Sequence, residues 1–213
     1  AIYNENDKTI DSIHANFYNN NSSGYGGAIN NHGTINDISG NYEHNTAGQY
    51  GGAIYSLNGN ITKISGATFG NATDNTQGNN AIRGGAIYIE GGTLGEITDS
   101  SFYGNTATSS GGAIYNYGTI TKIADTTFGS STDNTKGNTA ARGGAISNNG
   151  TINSLSADFY YNKATDGNGG AINNYGTIGT LTGNFTGNSA TDKGGAIYND
   201  SGTITIKTSD TAD

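Results

Sequence analysis

Large apolar residues recur at fixed places along the chain, and polar stretches rich in Gly, Asn, Asp and Ser separate them. Successive copies of the tetrapeptide Gly-Gly-Ala-Ile begin 25, 33, 27, 32, 26 and 25 residues apart. A fixed period of this length indicates a repeat architecture. Ala1-Ile2 has the form of the end of an eighth copy. The complete copies begin at Gly26, Gly51, Gly84, Gly111, Gly143, Gly169 and Gly194.

Other positions of the unit repeat as well. Asn comes two residues after the Ile of the tetrapeptide in most copies, with Ser56 and Ile89 as the exceptions. A Thr-Ile pair or a near variant follows, then a second aliphatic residue, then an aromatic residue, and most units close with Asn-x-Ala. The aromatic residues are Phe17, Tyr42, Phe69, Phe102, Phe128, Phe159 and Phe185.

Each unit therefore contains three short apolar segments bounded by turn-forming residues, which is typical of strands and not of helices. Since a single unit has too few apolar side chains to offset its own ordering entropy, neighbouring units must stack. The pattern predicts an all-β fold, a parallel β-helix of about eight coils with three short strands in each. We number the coils 1 to 8, with approximate ranges 1–25, 26–50, 51–83, 84–110, 111–142, 143–168, 169–193 and an irregular 194–213.

The recurring Asn and Gly residues have physical roles in such a stack. Asn tolerates left-handed backbone at corners, and its stacked amide can bond the Asn of the next coil, so we expect a ladder. The Gly-Gly pair supplies a corner where no side chain fits. The low content of large apolar residues makes disorder the first alternative. A disordered chain has no reason to keep this register, so order is favoured.

Two of the units, coils 3 and 5, contain an insertion between the aromatic residue and the closing Asn. These loops run from Gly70 to Gly78 and from Gly129 to Gly137, share Thr-Asp-Asn-Thr-x-Gly, and are each followed by an Arg. We expect them to project from one edge about 10 Å apart, since two strand spacings separate their coils. The candidate binding residues are Thr73, Asp74, Asn75, Thr76, Arg83, Thr132, Asp133, Asn134, Thr135 and Arg142.

Charge and composition narrow the partners. The net charge is −8 and the nine Lys and Arg residues are scattered, which argues against nucleic acid and against an anionic membrane surface. No apolar run approaches the ~18 residues of a spanning helix, so we do not expect the chain to be embedded in a membrane. Without Cys, disulfides and Cys-ligated metals are excluded. Because the chain opens inside a motif, we interpret it as a processed or truncated piece.

Gly-Gly-Ala-Ile together with Phe-x-x-Asn, as in Phe102 to Asn105 and Phe185 to Asn188, resembles the repeats of chlamydial polymorphic outer-membrane proteins and related bacterial autotransporter adhesins. Phe17 to Asn20 and Phe159 to Asn162 repeat the spacing, Tyr42 to Asn45 is a variant, and the two looped coils depart from it. The resemblance implies a right-handed β-helical passenger that is extracellular and displayed on a bacterial surface. It suggests a location more firmly than a ligand.

Catalytic and metal chemistry find little support in the sequence. His14, His32 and His44 occupy different positions of the unit and do not stack, so we expect no metal site or cofactor. Asp74 and Asp133 offer one carboxylate per loop, which is poor for Ca²⁺ and better explained by Asx turns. Dispersed carboxylates argue against a polysaccharide enzyme. The nearest acid–base grouping, Asp74 and Asp133 with the two loop arginines, recurs as a repeat, whereas an active site is normally built once. One Thr per coil disfavours ice binding.

The residue after the Ile of the tetrapeptide points away from the core and is often Tyr. A stacked stripe there either covers the strand face or forms a binding strip, since Tyr gives rigid amphipathic contact area. Tyr117 and Tyr175 lie nearby in the sequence. The residues of this candidate outer aromatic stripe are Tyr3, Tyr55, Tyr88, Tyr115 and Tyr198.

These patterns favour a non-catalytic surface adhesin whose partner is a host or bacterial surface glycan or protein. The first alternative is a self-assembling extracellular fibre module, because open strand edges invite end-to-end or lateral association. The final coil looks irregular, with Lys207 where the second aliphatic residue is expected. The second alternative is a β-helix enzyme acting on polysaccharide.

Overall fold

A computed structural model describes residues 2–207, which form strands, turns and two short 3-10 helices. The strands assemble into three parallel sheets, and each sheet takes strands from successive coils. The three sheets enclose one apolar core. The predicted three-sided parallel β-helix is confirmed, while its right-handed winding stays a prediction.

We name the sheets A, B and C in the order in which the chain visits them after each tetrapeptide. The strands of sheet A are Ile2–Asn4, Ile29–Asn31, Ile54–Leu57, Ile87–Glu90, Ile114–Asn116, Ile146–Asn148, Ile172–Asn174 and Ile197–Asn199. Those of sheet B are Thr9–His14, Phe17–Tyr18, Thr34–Glu43, Asn60–Phe69, Thr93–Thr98, Ser101–Phe102, Thr119–Phe128, Thr151–Tyr160, Thr177–Thr182, Phe185–Thr186 and Thr203–Ile206. Those of sheet C are Asn21–Ser22, Thr46–Ala47, Asn80–Arg83, Thr106–Ser110, Thr139–Arg142, Lys163–Ala164 and Ser189–Ala190.

Equivalent residues of neighbouring coils lie directly over one another. In sheet A, Ile54 pairs with Ile29 on one side and with Ile87 on the other. The aromatic residues stack in the same way, with ring centroids between 4.7 and 5.2 Å apart. These columns of identical or similar side chains explain how a chain of modest apolar content forms a continuous core.

Asn stacking is seen in two columns of hydrogen bonds. In each step of the first, which we call the continuous column, an amide Nδ2 donates to the Oδ1 of the next Asn at 2.9 or 3.0 Å. Ser56 and Ile89 break the second, the interrupted column. The continuous column contains Asn20, Asn45, Asn79, Asn105, Asn138, Asn162 and Asn188. The interrupted column contains Asn4, Asn31, Asn116, Asn148, Asn174 and Asn199.

The stacked Asn residues do not use the left-handed backbone that Asn tolerates. In the compact coils the residue before the continuous column is left-handed, as at His44 (φ 53°) and Tyr161 (φ 54°), whereas Gly78 and Gly137 in the looped coils are extended (φ −65° and −62°). The column Asn itself donates its N–H along the column, as Asn45 does to Asn79. The Gly-Gly corner is as expected, since a Cβ on Gly51 (φ 65°) would lie 2.2 Å from a backbone oxygen.

Sheet B has a bend between the second aliphatic residue and the aromatic residue of each coil. The central coils carry one extra residue at that bend. Coils 3, 4 and 5 place Gly66, Asp99 and Asp125 there, each left-handed with φ between 50° and 62°. The register shifts where these bulged coils meet the shorter ones, between Ile38 and Gly40 and between Ile123 and Thr126. Such bulges re-aim side chains and steepen the local twist.

The last coil departs from the regular register within its described part. Ile206 pairs with Leu181 across a register shift, yet 70% of Ile206 is exposed, so it does not extend the core column. Lys207 continues the coil by donating its N–H to the carbonyl of Leu181. The rest of the range predicted for coil 8, residues 208–213, lies outside the described residues.

Candidate functional site

Both predicted loops lie between sheet B and sheet C. Each loop leaves the aromatic residue of its coil and returns at the next Asn of the continuous column, so its ends are close together. A Cβ on Gly70 would lie 3.5 Å from the Cα of Gly78 and 1.8 Å from the carbonyl of Tyr103. The loop base is therefore closed by backbone packing, and the glycines at its ends allow that close approach.

Each loop contains one short 3-10 helix with an aspartate at its start. Asp74 caps Asn75–Gln77 and Asp133 caps Asn134–Lys136. The Asp74 carboxylate accepts the N–H of Thr76 at 2.9 Å and its hydroxyl at 2.7 Å, and Asp133 bonds Thr135 at 2.8 and 2.7 Å. Hydrogen bonds from these threonine hydroxyls, and then from their N–H groups, lower the pKa of both carboxyls. The loops are thus shaped by Asx-turn chemistry.

The first loop has further bracing at its beginning. The Asn71 side-chain oxygen accepts from the N–H and the hydroxyl of Thr73, both at 2.8 Å. The Asn71 amide donates to Glu43 of the preceding coil at 2.9 Å. Ser130 occupies the same place in the second loop and bonds Thr132 less closely, at 3.2 Å between the hydroxyl oxygens. Both loops carry the same capped 3-10 turn, but among residues 2–207 a side-chain bond to the neighbouring coil at this point is made by the first loop only.

Lys136 is a component of the site that the sequence reading missed. Its side chain is 3% exposed and its Nζ lies 4.0 Å from the Asp133 carboxylate. Besides the threonine hydrogen bonds, its positive charge helps to lower the pKa of both loop carboxyls, Asp133 and Asp74. The equivalent residue of the first loop is Gln77, which donates to Asp74 at 3.4 Å. The variable x in Thr-Asp-Asn-Thr-x-Gly was the signal for this difference.

The two loops meet over one residue of the compact coil between them. Gly104 of coil 4 donates its N–H to the carbonyl of Lys136 at 3.0 Å. On its other side, a Cβ on Gly104 would lie 3.2 Å from the carbonyl oxygen of Asn75. The loops therefore form one continuous surface, which we call the loop corner (residues 71–77, 104 and 130–136). Their predicted spacing of about 10 Å stays a prediction.

The loop corner presents short, uncharged polar groups to solvent. Asn75 and Asn134 are exposed, and neither side chain has a hydrogen-bond partner among residues 2–207. Thr73, Thr76, Thr132 and Thr135 are exposed beside them. Within the described chain no three His, Asp or Glu side chains converge as a metal would require. The chemistry on offer is hydrogen bonding to a polar surface.

The structure does not bring the loop arginines to the loop aspartates. Arg83 lies at the far end of its sheet C strand, with its guanidinium 5.6 Å from the Tyr50 ring centroid and 5.5 Å from that of Tyr115. Among residues 2–207 the ion pairs are His14 with Asp37 and Lys136 with Asp133, so neither Arg83 nor Arg142 pairs with a loop carboxylate. The grouping of loop aspartates with loop arginines that was considered for an enzyme is therefore not formed among the described residues.

The predicted outer aromatic stripe lies outside the core, but its middle is not accessible. Tyr55, Tyr88 and Tyr115 are 3%, 4% and 8% exposed and form their own cluster. They are covered by Tyr25, Tyr50 and Arg83, and burial raises the pKa of all three phenols. The prediction that these three residues belong to a binding strip is therefore wrong, because their rings are not accessible to a partner. Their role is to cover the strand face.

The ends of the stripe differ from its middle. Tyr3 is 59% exposed and Tyr198 is partly exposed, so a contact role for them stays a prediction. Tyr117 and Tyr175, which the sequence places nearby, are also exposed. Tyr55 donates a hydrogen bond to Glu90, which is an additional reason for its raised pKa.

Comparison with known proteins finds a family match in two segments. Residues 99–117 and 182–200 match the repeat of the Chlamydia polymorphic membrane proteins. Each segment begins at the bend of sheet B, includes one Asn of the continuous column, and ends after a Gly-Gly-Ala-Ile copy in sheet A. The resemblance stated from the sequence is thereby confirmed, and it is consistent with a repeat of the passenger type. No curated protein and no solved structure matches the chain.

Within residues 2–207, no helix has the length and apolar character needed to cross a bilayer.

Proposed function

We propose that this chain is part of a passenger-type surface protein and that it mediates adhesion without catalysis. The polymorphic membrane protein repeat supports a surface location on a bacterium. The observation that carries the adhesive role is the loop corner, where two similarly folded loops join into one polar surface on an otherwise regular solenoid. The partner is a glycan or protein on a host or bacterial surface.

The physical argument rests on preorganisation. Aspartate caps and a closed base hold each loop before any partner binds, so little conformational entropy is lost on contact. The exposed Asn and Thr side chains offer donors and acceptors to a polar partner. Rigid scaffolds with functional loops are a common arrangement in binding proteins.

The test uses the two loop asparagines whose side chains bond no described residue. In the Asn75→Ala, Asn134→Ala variant the aspartate caps stay intact, so the loops keep their shape. The matched control is Asn149→Ala, Asn153→Ala, which removes two exposed asparagines from other parts of the surface. We expect binding of fluorescent chain to epithelial cells to fall several-fold for the loop variant only. Equal binding by both variants would show that the loop corner does not mediate adhesion.

Catalysis is an alternative outcome of the same set of experiments. Release of reducing ends from an acidic polysaccharide by this chain, lost in Asp133→Ala, would replace adhesion by an enzymatic role. We expect no such turnover, because Asp133 is engaged by Thr135 and lies beside Lys136.

A further inference from the structure

A cleft lies on the outer side of sheet B, at the bend, and shares no residue with the loop corner. It has a volume of about 290 Å³ and spans coils 5, 6 and 7. Ala157 and Gly183 are among its lining residues, and their small size leaves room beside the backbone. Its polar lining includes Asp125, Thr127, Ser156, Asp158, Thr182 and Asn184.

The cleft exists because a bulged coil meets two coils without a bulge. Coil 5 has the extra left-handed residue Asp125 at the bend, while coil 6 passes directly from Ser156 to Ala157. The backbone of coil 5 therefore forms a step. Asp125 stands on that step as an exposed side chain at one wall of the cleft.

The two carboxylates of the cleft are in different states. Asp158 accepts the N–H of Asn184 at 2.8 Å, its side-chain amide at 2.9 Å and the hydroxyl of Tyr160 at 3.1 Å. These three donors hold Asp158 in place. The Asp125 carboxylate has no hydrogen-bond partner among residues 2–207, so its acceptor oxygens are free to bind a ligand.

The lining selects the chemistry of the ligand. Within the described residues no Lys, Arg or His lines the cleft, so an anion would meet two carboxylates and no counter-charge. A free carboxylate accepts hydrogen bonds only, whereas the Ser and Thr hydroxyls both donate and accept. A calcium ion needs six or more oxygen ligands, and one of the two carboxylates is already occupied by its donors. A neutral ring with several hydroxyl groups fits this set best.

We propose that this cleft binds a neutral carbohydrate, with Asp125 accepting hydrogen bonds from two sugar hydroxyls and Asp158 with Asn184 forming the opposite wall. The site is independent of the loop corner and of the proposed adhesion. It gives the chain a second polar contact surface, whose ligand class is neutral carbohydrate.

The test is an NMR titration of ¹⁵N-labelled chain with four neutral disaccharides: cellobiose, maltose, lactose and chitobiose. We expect at least one to shift the amide signals of residues 125–127, 156–158 and 182–184. Asp125→Asn should weaken that binding about tenfold, because a charged acceptor is lost. Asp99→Asn is the matched control, since Asp99 has the same left-handed place one coil away (φ 51° against 50°) and does not line the cleft. Asn tolerates this backbone, so both variants should fold.

Three results would overturn the proposal: no disaccharide shifts the cleft amides, Asp125→Asn binds as well as Asp99→Asn, or the cleft responds to CaCl₂ alone. The titration is repeated with the Asn75→Ala, Asn134→Ala variant, which should bind the sugar normally. Sugar binding without cell binding would reject the adhesion proposal and keep the cleft. Cell binding without sugar binding would reject the cleft as a sugar site and keep the adhesion proposal.

Discussion

Asn134 and Asn138 belong to the same coil and lie in opposite environments. Asn134 is exposed at the loop corner and bonds no described side chain, whereas Asn138 is fully buried in the continuous column. The column passes through both looped coils with the same 2.9 to 3.0 Å bonds that it has elsewhere. Identical residues therefore carry the scaffold in one place and its surface chemistry in the other.

The contrast explains how insertions of this kind are accommodated. Each buried Asn is bonded to both neighbouring coils, so the chain must return to the same point whatever happens outside. A longer loop adds only a small closure entropy, since that cost grows with the logarithm of loop length. The interior is held to one register while the corner is free to vary.

The largest effect is expected inside the aromatic column. Phe102 is completely buried, with ring centroids 4.7 Å from both Phe69 and Phe128. Phe102→Ala should lower the free energy of unfolding by about 3–5 kcal/mol, because it leaves a cavity that the stack cannot close. Urea denaturation followed by far-UV circular dichroism measures this. A loss below about 1 kcal/mol would mean that the column is not what holds the coils together.

The pair Asn138→Ala and Asn134→Ala tests directly whether the buried column and the exposed loop differ in their contribution to stability. Asn138→Ala removes the acceptor of the Asn105 N–H and amide and the donor to Phe102 and Asn162. Leaving such buried groups unpaired should cost about 3 kcal/mol in stability. Asn134→Ala should change stability by less than about 0.5 kcal/mol. Equal losses in urea denaturation would show that the loop and the column are not energetically distinct.

Alkaline pH should weaken the regions where tyrosines are buried. Burial raises the pKa of Tyr42, Tyr88 and Tyr115 above the ordinary value of 10.0. The folded chain keeps these protons when the unfolded chain has lost them, so the contribution of the buried tyrosines to stability is constant below about pH 10 and is lost above it. We expect a lower urea midpoint at pH 11 than at pH 8, with part of the tyrosine absorbance change delayed until unfolding. An unchanged midpoint would contradict the burial of these phenols.

A smaller effect, of opposite sign, is expected at one position of the aromatic column. The Tyr42 hydroxyl is buried and has no hydrogen-bond partner among residues 2–207, although Phe69 and Phe17 stack on its ring. Tyr42→Phe should raise the free energy of unfolding by about 1 kcal/mol, because an unpaired buried hydroxyl is removed. Thermal unfolding compared with the parent chain measures it. A decrease would mean that the hydroxyl has a partner, such as an internal water.

The sequence predicted the interior well because the interior is repetitive. Each Ile, Phe and Asn of a coil has its counterpart one period away, so period and register together imply three stacked strands. The environments of surface side chains were predicted less well. Tyr55 and Arg83 were candidate binding residues, but Tyr25 and Tyr50 from preceding coils cover the Tyr55 ring, and Arg83 lies over the Tyr50 ring.

The parts of the sites that escaped prediction depend on breaks in the repeat. Lys136 differs from its counterpart Gln77, and only the folded loops show that its charge reaches both aspartates. The cleft beside Asp125 arises where coils of different length meet at the bend. Neither has a periodic signal, because each is formed by the difference between adjacent coils and not by what they share.

The most direct test of the account is a variant that lacks both loops. Deleting residues 71–77 and 130–136 joins Gly70 to Gly78 and Gly129 to Gly137, which restores the Phe-x-x-Asn spacing of the compact coils. We expect this variant to fold with a melting temperature within about 4 °C of the parent chain, and its binding to epithelial cells to be lost. A variant that folds and still binds cells as the parent does would contradict the account.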